Sequence, residues 1–269
     1  MKIELSNQVK NLRFEITRPP YSLPGIYNGQ EFLASDSLEI AMGVVSGLII
    51  AVRIGSQPPY GIMFRVDNSE LLSKVWIAKG RVDSNGNPVF RQKPVTALSK
   101  KQLDFYIDWE VLRKLGFNRE KIDNLLDLGL HTVLPVNNTF PRHLTTIGHI
   151  GNTISTIRFE ESDPLNRLVE IVSELDFNAI VGGTSLNTTG QHVYMDSEKV
   201  LIDFGGRNKA VDLFVISEIP EQINLQGGAF HSMIEILENK VRLIRKGINY
   251  QRLIDYCKRN NILVVENTT

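Results

Sequence analysis

Ala179-Ile180-Val181-Gly182-Gly183-Thr184-Ser185-Leu186-Asn187 is an apolar run that ends in a hydroxyl and an amide two residues apart. The apolar part reads as a strand, and the Ser-x-Asn at its end sets two hydrogen-bonding groups side by side. A second polar island, Lys79-Gly80-Arg81, lies well upstream. A helix over residues 70–78, capped by Asp67 or Asn68, delivers both of its cations at the C-terminal end. Two cations flanking a glycine suit a polyphosphate: a point charge and a planar fork for two oxygens. Together the islands suggest a nucleotide site that needs neither a P-loop nor a metal cage.

Outward from these islands, strands and helices interleave. A helix is expected over Ser37 to Val45, with Ser35 or Asp36 as its cap, and Gly47 breaks it. Leu48 to Ile54 follows as a strand whose continuous apolarity predicts cover on both faces. Further strands are expected at Ile62–Val66, Val95–Leu98, Leu130–Val136, Ile154–Phe159, Val211–Ile216 and Val241–Arg245. Residues 99–128 read as helical, and Asp163-Pro164 starts a helix by cap-then-proline logic, with Leu165, Leu168, Val169 and Val172 on its apolar face. The last elements are a helix over Tyr250–Arg259 and a small strand at Ile262–Val265. The interleaving predicts an α/β domain with an open mixed sheet flanked by helices. It spans residues 38–248, between a Pro/Gly-punctuated arm (1–37, with one strand at Arg13–Ile16) and a C-terminal appendage (249–269).

Composition excludes some classes. The 269 residues carry 30 Lys plus Arg against 30 Asp plus Glu, so no general electrostatic grip on nucleic acid is expected, although a local basic pocket is compatible. The single cysteine, Cys257, offers neither an intramolecular disulfide nor metal-ligand spacing and reads as a small apolar residue of the last helix. His131, His143, His149, His192 and His231 show no metal spacing either, and scattered strand or surface positions are expected. No signal peptide and no bilayer-spanning run is seen, which makes the cytoplasm the expected compartment and excludes a membrane partner.

The order of short motifs resembles the YrdC family, the L-threonylcarbamoyl-AMP synthases and their carbamoyl-AMP-forming relatives. The matching stretches, roughly residues 38 to 248, begin with Gly47-Leu48-Ile49-Ile50-Ala51-Val52, Tyr60-Gly61-Ile62 and Lys79-Gly80-Arg81. Lys93-Pro94-Val95-Thr96, His131-Thr132-Val133-Leu134-Pro135, Thr156-Ile157-Arg158 and Asp163-Pro164-Leu165 continue the series. Thr184-Ser185-Leu186-Asn187-Thr188-Thr189-Gly190, Val211-Asp212, His231-Ser232-Met233-Ile234 and Val241 to Gly247 complete it. The resemblance implies a twisted open mixed sheet in a single YrdC-like domain. It implies ATP with Mg2+ on the polyphosphate, bicarbonate as co-substrate, and threonine or another amine. It further implies partners among tRNA-modification proteins.

By the same resemblance, Lys79, Arg81, Ser185 and Asn187 are the catalytic residues. Thr132, Arg158, Thr184, Ser232 and Arg245 join them around the nucleotide, and Ser56 and Tyr60 contact the amino-acid substrate. Two departures stand out. The family's Pro-Thr-Asp/Glu-Thr strip is here Gly55-Ser56-Gln57-Pro58-Pro59, and a late threonine is Met233. Three readings follow: a threonylcarbamoyl-AMP synthase, a divergent carbamoyl-adenylate or carbamoyltransferase enzyme, and a non-catalytic paralogue that binds nucleotide or double-stranded RNA.

Overall fold

The computed structural model describes residues 37–53, 60–159, 161, 163–187, 204, 210–215 and 231–266. The arm up to residue 36 with its expected strand, the strip Gly55–Pro59 with Ser56, and Thr189-Gly190 lie outside the described residues. In chain order the elements are α1 (Ser37–Val45), β1 (Ile50–Arg53), β2 (Tyr60–Arg65), α2 (Ser69–Ala78), β3 (Val95–Ala97) and α3 (Lys100–Tyr106). Next come α4 (Trp109–Lys114), α5 (Arg119–Leu126), β4 (His131–Pro135), β5 (Thr146–Gly148) and β6 (Gly151–Thr156). The last are α6 (Pro164–Leu175), β7 (Val181–Ser185), β8 (Leu213–Val215), β9 (Met233–Leu237), β10 (Lys240–Arg245), α7 (Tyr250–Arg259) and β11 (Leu263–Glu266). This is the mixed α/β class that the interleaved pattern predicts.

Two compact units emerge. The first comprises the described residues of Met1–Gln92 and Glu161–Ile223. Its strand order is β7-β2-β1-β8, with β2 antiparallel to both β7 and β1, and β8 parallel to β1. Ile50, Ala51 and Val52 of β1 are all buried, as continuous apolarity demands of a strand covered on both faces. Helix α1 buries Ile40, Ala41 and Val44 and packs against α6. Asp163 caps α6 by accepting from the Leu165 N–H, and Pro164 occupies the first turn, where its missing N–H costs nothing.

Gly183 of β7 has a steric reason. A Cβ there would lie 2.1 Å from the Ile62 carbonyl oxygen of β2, so only glycine lets the strands approach this closely.

The second unit comprises the described residues of Lys93–Glu160 and Asn224–Thr269. Its strand order is β11-β10-β9-β4-β6-β3, with β5 added to β6. Residues 99–128 form three helices rather than one, because Ser99, Asp108 and Asn118 each cap a new start. A polar side chain that satisfies the first N–H groups of a helix favours beginning one over extending the last. The strand expected over Ile154–Phe159 is shifted: β6 ends at Thr156. Strand β9 carried no sequence prediction. β11 pairs in parallel with β10, so the closing residues complete the sheet edge.

One face of this sheet is the core. Thr132, Leu134, Ile154, Thr156, Ile234, Ile236, Val241 and Leu243 are all buried on it. The alternating residues on the other face are mostly half-buried and more polar. Leu253 and Cys257 of α7 are buried, and burial raises the Cys257 thiol to about 11, as expected of a small apolar residue.

Candidate functional site

Lys79-Gly80-Arg81 is the C-terminus of α2, and the glycine has a backbone reason. Gly80 adopts φ +67°, its N–H donates to the Ile77 carbonyl at 2.9 Å, and the Arg81 N–H donates to the Trp76 carbonyl at 2.9 Å. This paired closure of a helix end needs a left-handed residue, which glycine supplies without a Cβ penalty. At the other end Asn68 accepts from the Glu70 and Leu71 N–H groups. The helix therefore delivers Lys79 and Arg81 from a defined stop.

Lys79 is 1% exposed. Its ammonium donates to the Ser185 carbonyl, to the Asn187 carbonyl at 2.6 Å and to Asn187 Oδ1 at 3.4 Å. The Ser185 hydroxyl donates to the same Oδ1 at 2.6 Å. Two donors converging there assign that atom as the oxygen and turn the Asn187 amide nitrogen the other way. Residues far apart in sequence thus meet within the first unit. No carboxylate among the described residues pairs with Lys79; its partners are carbonyl dipoles. Burial first, and the charge of Arg81 second, lower its pKa to about 7.

The Arg81 guanidinium lies 4.6 Å from the centroid of the Trp76 ring, a cation–π contact. Trp76 is fully buried, and its indole N–H has no hydrogen-bond partner. Arg81 is itself pushed below its ordinary range by burial. The site therefore sets two cations and a hydroxyl–amide pair together, and among the described residues no carboxylate pairs with Lys79. Such an arrangement accepts an anion. Among the described residues no cluster of His, Cys, Asp or Glu could hold a metal ion.

The other expected residues lie partly in the first unit and partly in the second. Thr184 precedes Ser185 in β7, and strand alternation places its side chain on the opposite face. Tyr60 opens β2 opposite Arg53. In the second unit, Arg158 is 9% exposed and spends its fork on Asp127 at 2.9 Å and Asp123 at 2.7 Å. Thr132 is fully buried on the core face, with its hydroxyl unpartnered. The Ser232 hydroxyl accepts from the Gly247 N–H at 3.0 Å. Arg245 shares the other face with His131 through the register His131↔Met233↔Arg245.

The histidines are not all scattered. The His131 and His231 rings lie 5.7 Å apart, centroid to centroid, and Arg245 stands beside both. Sequence spacing hid the pair, because a hundred residues separate its members and only the parallel β4–β9 register aligns them. Trp76 was missed as well. Its position one helical turn before Lys79 was the available signal.

Neither a family model nor a curated protein matches the chain. Solved structures do. P. abyssi Sua5 complexed with L-threonine matches with a TM-score of 0.59 and 15% identity, over 86% of this chain and 59% of that one. A hypothetical protein from Streptococcus mutans UA159 matches with a TM-score of 0.57 and 17% identity, over 90% of this chain and 97% of that one. Full-length HypF in its phosphate- and nucleotide-bound form matches with a TM-score of 0.54 and 14% identity, over 80% of this chain and 29% of that one. The chain thus covers about six-tenths of the Sua5 structure. These likenesses establish a YrdC-like fold. Among the described residues no helix is long and apolar enough to cross a membrane.

Proposed function

We propose that the chain is a nucleotidyltransferase that forms a carbamoylated adenylate from ATP, bicarbonate and an amino acid, in the manner of an L-threonylcarbamoyl-AMP synthase serving tRNA modification. The observation that carries this reading is Lys79. A buried ammonium that meets Ser185 and Asn187, with no carboxylate among the described residues paired to it, is an arrangement that an anionic ligand completes. The YrdC-like fold supports it, since one structure of that shape is bound to L-threonine and another to phosphate and nucleotide.

In this reaction a carbamate oxygen attacks the α-phosphorus, and the bond to the departing pyrophosphate breaks. Charge gathers on the leaving oxygens as that bond stretches. Lys79 meets it as a point charge and Arg81 as a planar fork placed over the Trp76 ring. Ser185 and Asn187, already locked to each other, orient the reacting groups. Magnesium arrives on the polyphosphate, and tRNA-modification proteins take the product onward.

The test is pyrophosphate release with ATP, bicarbonate and threonine present together and each omitted in turn. Release that needs all three and disappears in Lys79→Met supports the reading. ATP binding with no turnover for any amine would refute it. A second reading, a specialised carbamoyl-adenylate enzyme, is favoured by one sequence observation: Gln57 and Pro58 stand where the family holds an acid and a threonine. It predicts adduct formation with an amine other than threonine, read by mass spectrometry.

A further inference from the structure

Trp76 borders the Lys79 site and has so far been given no part in it. Its side chain is fully buried, yet among the described residues its indole N–H finds no hydrogen-bond partner. A buried tryptophan ordinarily places that N–H on an acceptor, and leaving the bond unmade costs stability that a phenylalanine ring would not forfeit. Core packing alone therefore does not account for an indole at this position. What the indole adds over a smaller ring is a stronger π face, and tryptophan is the best of the aromatic partners for a cation. The Arg81 guanidinium lies over that face, 4.6 Å from its centroid.

The backbone of Arg81 is set without help from the ring. Its N–H donates to the Trp76 carbonyl at 2.9 Å, closing the helix end, and its carbonyl accepts from the Val89 N–H at 2.8 Å. Val89 returns from a hairpin in which Val82 bridges Pro88, the Asp83 N–H donates to the Asn87 carbonyl at 2.9 Å and Gly86 turns the chain at φ +81°. The Asp83 carboxylate supports that turn by accepting from the Asn85 and Asn87 N–H groups, both at 2.9 Å. Both main-chain groups of Arg81 are thus committed, and what is left to choose is the rotamer of a long side chain. Residues 76 and 81 are also the two that this kind of helix closure brings together, since they share its backbone bond.

We propose that Trp76 is a positioning residue whose indole selects the Arg81 rotamer that meets an anionic substrate, and that the unpaired indole N–H is the cost of that choice. Trp76 itself touches no substrate, being fully enclosed. The inference rests on the reading of Lys79 and Arg81 as a nucleotide phosphate site. It adds that ATP affinity depends on the ring under the guanidinium as well as on the guanidinium.

ATP binding is measured by calorimetry for wild type, Trp76→Leu, Trp76→Phe, Arg81→Met and the double variants. The dissociation constant should rise about ten-fold in Trp76→Leu and about three-fold in Trp76→Phe. Neither change should weaken binding further once Arg81 is Met, which a purely structural role would not predict. Urea unfolding of Trp76→Phe should show its stability retained, because the unpaired donor leaves with the indole. The chain has two tryptophans, so Trp109→Phe leaves Trp76 as the only indole; ATP should shift its emission, and Arg81→Met should abolish that shift. Equal weakening by the Trp76 changes with and without Arg81, an unaltered affinity in Trp76→Leu, a Trp76→Phe protein destabilised in step with its loss of affinity, or an emission shift that survives Arg81→Met would each overturn the proposal. If ATP binding is then still lost in Lys79→Met, the Lys79 reading stands and only the role of Trp76 falls. A wild type that binds no ATP overturns both together.

Discussion

Replacing Lys79 by Met removes the ammonium while keeping an unbranched side chain of similar length. In the folded chain burial and Arg81 hold its pKa at about 7, against 10.5 in the absence of those effects. The unfolded chain therefore binds the Lys79 proton more tightly throughout the interval between those values. Stability must rise with pH across that interval and be lost as pH falls through about 7. Each pKa unit corresponds to about 1.4 kcal/mol, so the full shift bounds the effect at about 5 kcal/mol. Between about pH 6.5 and about pH 9.5 the part realised is about 3 kcal/mol. Lys79 is 1% exposed, so solvent screening does not erase it. The assay is urea unfolding of wild type and Lys79→Met at both pH values, with the difference between the proteins isolating this residue from every other titrating group. Wild type should gain about 3 kcal/mol relative to the variant on going to the higher pH. Saturating ATP should flatten that gain, since a bound polyphosphate restores the charged form. Parallel pH profiles for the two proteins, within about 0.5 kcal/mol, would refute the account of a buried cation held without a counter-charge.

Other expectations are independent of that one. Gly183→Ala places a methyl against the Ile62 carbonyl, so the strand carrying Ser185 must shift; a loss of about 1–3 kcal/mol by denaturant unfolding is expected, and a neutral result would contradict the close approach. Arg158→Met leaves Asp123 and Asp127 without their shared partner and should cost about 1–3 kcal/mol, discounted because Asp127 is 60% exposed. Both His131 and His231 have folded-state values well below the ordinary histidine value of 6.5, so the stability they contribute is present above that value and is lost as pH falls toward 4 and 3. Gln at both positions should make acid unfolding less steep. Cys257 is 1% exposed with its thiol raised to about 11, so alkylation near neutral pH should require unfolding; rapid labelling of the native protein would show the helix α7 packing to be wrong.

Much of the secondary structure was legible from local rules. Asn68 and Asp163 announced helix starts because capping involves only neighbouring residues. Gly80 ends its helix by an equally local rule, although in sequence it was read only as the glycine between two cations. β1 was legible as a strand covered on both faces because every one of its central residues is apolar. The division of residues 99–128 was readable in principle from Asp108 and Asn118, but an unbroken mixture of charge and apolar residues masks such restarts. β9 was not legible, since Met233 to Leu237 contains a buried Glu235 that only its partner Arg242 on β10 makes tolerable.

By itself the sequence determined the class of fold, the order of most of its elements and the presence of two polar islands, because periodicity, caps and turns act over a few residues. Tertiary structure decided what those islands meet. The Ser185 and Asn187 carbonyls reach Lys79 only because β7 lies antiparallel on β2, where Gly183 removes the obstructing Cβ. The same logic brings His131 to His231 and commits Arg158 to Asp123 and Asp127. Burial, charge and pKa are properties of neighbours in space, and strand register, which pairs residues far apart along the chain, is what chooses those neighbours.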